Sequence, residues 1–387
     1  MRTFLRHIGS LIAILVMLTA CAAGAEAPVP ATVATTPTTS ATLSASTAVT
    51  VTATADLDRR AVVAGIVETV ILPRHRELLH EAETLEAAVA QFAAQPTVET
   101  LAAAQAQWRS TAVAWAHVEP FSLRFTMLAV GQIKKWPINT KFIEQFIAEE
   151  TTIDEPFIAS IGATAKGLGA IEYLLFNPTL TAEELVTALV AAPPRLAYLD
   201  ALAQNLSIAA SELYALWSPE GENRAQQLID ADFSENDVQG SVSMLANELI
   251  VLLETMVKTK VEYPLRGVLA DPQPQAVESP YAGYSWPLLI ANLRAVQQIF
   301  HAGLGDYLDQ MAVSPRTPTL AAAIDAQIEA TIAAIEALPL PLEVAVLADP
   351  LPVRAVRDQI KAILVLVKVD MANQLGITVT FSDNDGD

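Results

Sequence analysis

Leu199-Asp200-Ala201-Leu202-Ala203-Gln204-Asn205-Leu206-Ser207-Ile208-Ala209-Ala210-Ser211-Glu212-Leu213-Tyr214-Ala215-Leu216 is the stretch that decides the fold class. Its apolar residues Leu199, Leu202, Leu206, Ala209, Leu213 and Leu216 step by 3, 4, 3, 4 and 3, which keeps them on one stripe of an α-helix. The same stripe recurs at Leu245, Leu249, Leu252 and Met256, and again at Ile324, Ile328, Ile332 and Ile335. From Asp56 onward Ala, Leu, Glu and Gln dominate, and prolines sit at the breaks. Thr181 and Glu184 form a capping-box pattern, and Thr317-Pro318 reads as an N-cap followed by proline at the first helical position. Helix stops are expected at Gln95-Pro96, Asn177-Pro178, Pro193-Pro194 and Leu338-Pro339. No alternating run between turn pairs suggests a sheet. The short segment from Ile377 to Phe381 is strand-like only in composition. The expected class is therefore all-α.

The chain opens with a basic n-region, Arg2 and Arg6, and a mostly apolar run from Ile8 to Leu18. That run is too short to span a bilayer and ends in small residues, as cleaved signals do. Leu18-Thr19-Ala20-Cys21 resembles the bacterial lipobox, in which the cysteine is lipidated and becomes the new N-terminus. Residues 1–20 are thus expected to be a lipoprotein signal peptide and Cys21 the lipidation site. The body would then sit outside the cytoplasm, anchored to a membrane of the cell envelope. Residues 21–55, rich in Ala, Thr, Ser, Pro and Val, read as a flexible tether with a random-coil reach of about 30–35 Å. Two side-by-side helical bundles are expected beyond it, 56–178 and 179–387, with Pro193-Pro194 as an alternative border.

Cys21 is the single cysteine, so the chain has no internal disulfide and no Cys₂ or Cys₄ metal site. Stability must come from packing, and 52% of the residues are hydrophobic. The net charge of −20 argues against nucleic acid and against an anionic membrane surface, both of which need basic patches.

Four polar and aromatic islands interrupt the helical pattern: Trp108 to Pro120, Lys134-Lys135-Trp136-Pro137, Gly167 to Phe176, and the segments around Tyr263-Pro264 and Glu278 to Trp286. Islands of this kind make pockets. The third sets one carboxylate, Glu172, in the apolar run Gly167-Leu168-Gly169-Ala170-Ile171-Glu172-Tyr173-Leu174-Leu175-Phe176. A carboxylate there is a structural group hydrogen-bonded to backbone or tyrosine, a cleft residue meeting a ligand or metal, or an exposed side chain. Glu119 and Glu278, each beside a proline break, are its expected partners; three converging carboxylates would suit a hard cation. Catalytic zinc normally needs three ligands with histidine prominent, and neither His-x-x-x-His nor His-Glu-x-x-His occurs. His75, His80 and His301 read as surface residues, and His117 as a capping, packing or site residue. Ser279 and Ser285 lack a nucleophile elbow or a nearby base and read as cap and turn residues. Trp108, Trp115 and Trp136 read as packing residues. Asp383-Asn384-Asp385-Gly386-Asp387 has acidic spacing reminiscent of a calcium loop but lacks its last glutamate, and reads as a solvated tail.

Taken in order, these segments resemble the imelysin-like family, bacterial envelope proteins linked to iron uptake and once classed as peptidases. The resemblance rests on Val67 to Pro73, Trp108-Arg109, Trp115, Val118-Glu119-Pro120, Trp136-Pro137 and Gly167 to Phe176. It continues through Pro264-Leu265, Glu278-Ser279-Pro280-Tyr281, Ser285, Asn292 and Asp385-Gly386-Asp387. It implies two related helical bundles with a cleft between them, and a Gly-x-His-x-x-Glu segment proposed to bind metal. Gly167 and Glu172 match the ends of that segment, but Gly169 stands where its histidine would be, which speaks against metallopeptidase chemistry. The expected role is non-catalytic: a ligand, a divalent cation or iron held in the cleft. Glu172, Tyr173, Glu119, Glu278, Trp136 and Ser279 would line the site, and Glu172, Glu119 and Glu278 would be the metal ligands. The membrane, through a lipid on Cys21, and an iron-uptake component are the expected partners. A metal-dependent peptidase and a partner-docking lipoprotein are the alternatives.

Overall fold

The computed structural model describes residues 59–149, 152–230, 240–266, 271–314 and 316–380. The signal peptide, Cys21, the tether and the tail from Asp383 to Asp387 lie outside the described residues.

Most of those residues are helical, with no β-strand among them. α1 (59–94) packs on α2 (Val98–Val118) and on α4 (Pro193–Trp217), while α3 (Gly167–Leu175) lies against α2 and α4. α5 (241–265) meets α8 (350–375), and α8 packs on α7 (Leu320–Glu336). α6 (285–310) packs on α2 and α7 and so joins the two sets of helices. The α1–α4 and α2–α6 contacts both cross the border expected near residue 178. The described residues belong to a single compact unit.

The stripes read from the sequence are the core. Leu199, Leu202, Leu206, Leu213, Leu245, Leu249, Ile324, Ile328 and Ile332 are all 2% exposed or less. Each apolar stripe can leave water only by meeting another, so the helices pack along them. The Thr181–Glu184 capping box is present, with the Thr181 N–H donating to Glu184 at 2.8 Å and the Glu184 N–H donating to Thr181 Oγ1 at 3.2 Å. Two punctuation marks act differently from expectation. Pro193 and Pro194 open α4 rather than ending a helix, because proline fits the first turn, where its missing N–H costs nothing. The cap of α7 is Thr319, whose Oγ1 accepts from the Ala322 N–H, and not Thr317. No single described helix is long and apolar enough to cross a membrane.

α1 and α5 share a local device. Each contains a π-helical stretch, Val67–Ile71 and Met256–Glu262, followed two residues later by a proline, Pro73 and Pro264. A proline ring inside a helix collides with the carbonyl four residues back, and the wider π turn makes room for it. In α5 that residue is Lys260, which the widened turn carries into the interior.

Candidate functional site

Gly167 starts α3 with φ at +71°, and a Cβ there would lie 2.3 Å from the Ile133 carbonyl oxygen. Only glycine meets both conditions. The start is fixed further by the Trp108 indole, which donates to the Leu168 carbonyl at 2.9 Å. Two residues on, a Cβ on Gly169 would come within 2.6 Å of Ile138 Cγ2. The 134–138 segment therefore packs directly on α3.

Glu172 projects from this close contact and is 1% exposed. Its Oε1 accepts three hydrogen bonds of 2.9 Å, from Ser279 Oγ and from the Tyr281 and Ala282 N–H groups. Successive backbone amides of a turn make a small concavity for an anion, and the left-handed Gly283 closes this one. Ser285 Oγ supports it by accepting from the Ser279 N–H at 3.1 Å. Burial pushes the Glu172 carboxyl up to about 7, against the opposing pull of the Ala282 N–H, Lys134, Ser279 and the Tyr281 N–H.

A second buried acidic cluster lies alongside. Lys260 Nζ donates to Glu119 Oε2 at 2.8 Å and to Asn292 Oδ1 at 2.8 Å, and stands 3.1 Å from Glu278 Oε2. Asn292 Nδ2 donates to the Ala116 carbonyl at 2.9 Å and to Glu119 Oε2 at 2.8 Å. Lys134 Nζ lies 3.4 Å from Glu278 Oε1 and links the two clusters electrostatically. Burial alone would pull Lys260 down, but Glu119 and Glu278 outweigh it and hold the ammonium above its ordinary range. Burial would likewise raise Glu278, and Lys260 and Lys134 hold it below the usual carboxylate range.

Above these groups opens a recess of about 220 Å³, lined by Lys134, Trp136, Ile138, Gly169, Glu172, Glu278 and Tyr281 among others. It shares Trp136, Pro137 and Gln275 with an adjoining trough of about 570 Å³ lined mainly by Tyr263, Pro272, Pro274 and Ala276. Trp136 is positioned by its indole, which donates to the Val277 carbonyl at 2.9 Å.

A family profile described as imelysin, among the M75 peptidases, matches residues 71–368. The chain belongs to the imelysin family. A curated relative, iron-regulated protein A of Synechococcus elongatus, is 23% identical over 318 residues, covering 77% of this chain and 84% of its own. Two solved structures share the fold. A putative iron-regulated protein A precursor from Parabacteroides distasonis has a TM-score of 0.67 at 19% identity and covers 81% of this chain and 94% of its own. An imelysin-like protein from Psychrobacter arcticum has a TM-score of 0.67 at 20% identity, covering 83% and 96%.

Within this imelysin fold the residues singled out from sequence fall into three places. Glu119 and Glu278 meet, as expected, but around the Lys260 ammonium rather than around an ion. Glu172 stands apart from them, across Lys134. A cation bridging the three carboxylates would have to displace a buried ammonium whose proton is held tightly, so this donor set does not fit a bare metal ion. Among the described residues no three His, Cys, Asp or Glu side chains are grouped to hold one. The missing histidine has a steric counterpart as well, since Ile138 occupies the space beside Gly169. Ser279 is fully buried and serves as a donor to Glu172 rather than as a wall of the recess. Ser285 likewise supports the turn instead of capping α6.

Tyr173 turns away from the recess and donates to Glu144 at 2.7 Å, and Arg195 bridges the same carboxylate at 2.6 and 2.8 Å. His75 is buried rather than exposed; its Nδ1–H donates to the Ile71 carbonyl at 2.7 Å, and burial lowers it to about 4. His117 is lowered to about 4 by burial and by Arg74. His301 is a surface residue whose Nε2 lies 2.9 Å from Asp325 Oδ1. Trp108 and Trp115 are buried, whereas Trp136 is half-buried at the recess. Sequence reasoning missed Lys260. The one local signal is its place four residues before Pro264.

Proposed function

We propose that this imelysin-family chain is a non-catalytic, lipid-anchored protein of the cell envelope. It binds a small ligand in the recess bordered by Glu172 and Trp136 and serves iron acquisition with a partner of the same envelope. The observation that carries the reading is the position of Lys260: the buried acidic cluster carries its own cation, and the concave surface beside it is the recess lined by Glu172, Trp136 and Tyr281. The names of the relatives tie the family to iron regulation. Iron would reach this protein within a ligand or through a partner, not as an ion coordinated by Glu119, Glu172 and Glu278.

Calorimetry with ferrous, ferric, zinc and calcium ions tests the site. The expected result is no stoichiometric ion binding that depends on Glu172; an ion site abolished by Glu172→Ala would overturn the reading. Casein cleavage blocked by a chelator would replace it with the peptidase alternative. Anchoring is tested by fractionation: Cys21→Ser is expected to move the protein from the membrane fraction to the soluble fraction.

A further inference from the structure

The trough that adjoins the recess is uncharged, in a chain of net charge −20. Its volume of about 570 Å³ is that of a small-molecule site, and among the described residues no Asp, Glu, Lys, Arg or His lines it. A charged group buried there would give up water and meet no countercharge. The flat faces are those of Trp136, Tyr263, Pro272 and Pro274. Two of them are held in place. The Trp136 indole donates to the Val277 carbonyl at 2.9 Å. Arg266 sets its guanidinium carbon 4.7 Å from the centre of the Tyr263 ring and donates from Nη2 to the Tyr263 hydroxyl at 3.0 Å. Pre-positioned aromatic walls suit a planar ring.

The polar groups of the trough have a direction as well. Arg266 Nη2 also donates to Gln273 Oε1, at 2.5 Å. A guanidinium can only donate, so the amide oxygen of Gln273 must face it, and the N–H₂ group is what Gln273 has left to offer. That group makes no hydrogen bond among the described residues, nor do the side chains of Thr259 and Gln275, which line the same trough. Gln273 and Gln275 are exposed, and Tyr263 is 47% exposed, so a guest meets these groups directly from solvent.

We propose that the trough is a binding site for a neutral planar ring that bears a carbonyl. The ring would lie against Trp136 and Tyr263, and the carbonyl would accept from the Gln273 N–H₂. The trough would take such a ring whether or not the recess holds a ligand of its own.

Acetophenone, benzoate and benzylamine share one ring and differ in the charge of the head. Each is titrated against the purified protein by saturation-transfer NMR. Acetophenone is expected to bind with a Kd on the order of millimolar, as a fragment of this size allows, and at least about tenfold tighter than the two charged probes. Tyr263→Ala removes one exposed wall and is expected to weaken acetophenone by about fivefold. Gln273→Glu keeps an oxygen for Arg266 and presents a second oxygen where the N–H₂ was. It is expected to weaken acetophenone by about tenfold and to strengthen benzylamine by about as much, a gain that misfolding cannot produce. Acetophenone binding unchanged in both variants would overturn the site. Acetophenone weakened by Glu172→Gln but by neither trough variant would move the ring into the recess, overturning the trough and sparing the recess. Benzoate or benzylamine binding the wild type more tightly than acetophenone would overturn the ligand class, and no binding by any of the three would overturn site and class together.

Discussion

Two buried acidic clusters lie side by side in this protein and are stabilised in opposite ways. Glu119 and Glu278 are matched by a full positive charge, the ammonium of Lys260. Glu172 is matched mainly by dipoles, one hydroxyl and two backbone amides. A charge paired with a charge stays ionised, and Glu278 accordingly lies below the ordinary carboxylate range. A charge met by dipoles in a dry site is easily neutralised, and Glu172 is pushed up to about 7. The first cluster thereby acts as a closed structural pin. The second holds a carboxyl beside the recess whose charge depends on pH.

The largest effect separating the two clusters should come from Lys260→Met. Removing the ammonium leaves Glu119 and Glu278 facing each other underground, at a cost of about 3–5 kcal/mol by urea denaturation. A loss below about 1 kcal/mol would show that water enters the cluster and that the pin is not closed.

The pH response comes next and has opposite signs at the two sites. For Glu172 the folded protein holds its proton up to about 7 while the unfolded chain releases it near 4.5, so this stabilisation is complete below 4.5 and is lost as pH rises toward 7. Glu278 behaves inversely: its stabilisation is present above the unfolded value of 4.5 and is lost as pH falls through its lowered folded value. His75 and His117, both held at about 4, also lose stability for the fold as pH falls below 6.5. Comparing wild type with Glu172→Gln cancels those contributions. The stability difference between the two should change by about 3 kcal/mol from pH 4.5 to 7, with wild type the one that weakens. A flat difference would mean that Glu172 stays ionised and that its dipoles suffice.

Ser279→Ala should cost about 1.5–3 kcal/mol when Glu172 is ionised, and less at pH 5, where the carboxyl is neutral. Equal losses at both pH values would assign the effect to packing rather than to the hydrogen bond. The last effect is that of Gly169→Ala, about 1–3 kcal/mol, because the atom in the way is the Cγ2 methyl on the branched Cβ of Ile138, which moves only with the stiff χ1 or the backbone. Ile138→Ala should relieve most of it in the double variant.

The helices and the Glu172 cluster were legible to different degrees. A lone carboxylate in the run from Gly167 to Phe176 favours burial, because its nine neighbours are apolar or small, but exposure stayed open until the structure placed it. What it bonds to was not legible. Its donors lie about 110 residues downstream, in a turn whose amides carry no side-chain signature. Lys260 was harder still. It stands in Met256-Val257-Lys258-Thr259-Lys260-Val261-Glu262 beside Lys258, which stays on the surface, and composition does not tell the two apart. The histidines show the same limit: His75 and His80 differ by five positions on one helix, yet one is buried against Trp217 and the other faces solvent.

The sequence by itself determined the all-α class, the core stripes and the imelysin resemblance, and it singled out Glu172 as a carboxylate in an apolar run. Those properties depend on local periodicity and on the polarity of near neighbours, which spacing along the chain records. Only the tertiary structure decided that the acidic cluster has a lysine for its cation, and that Glu172 has amides and a serine for its partners. The Lys260–Glu119 and Glu172–Ser279 pairings join residues more than 100 positions apart, and they are set by which helices pack face to face.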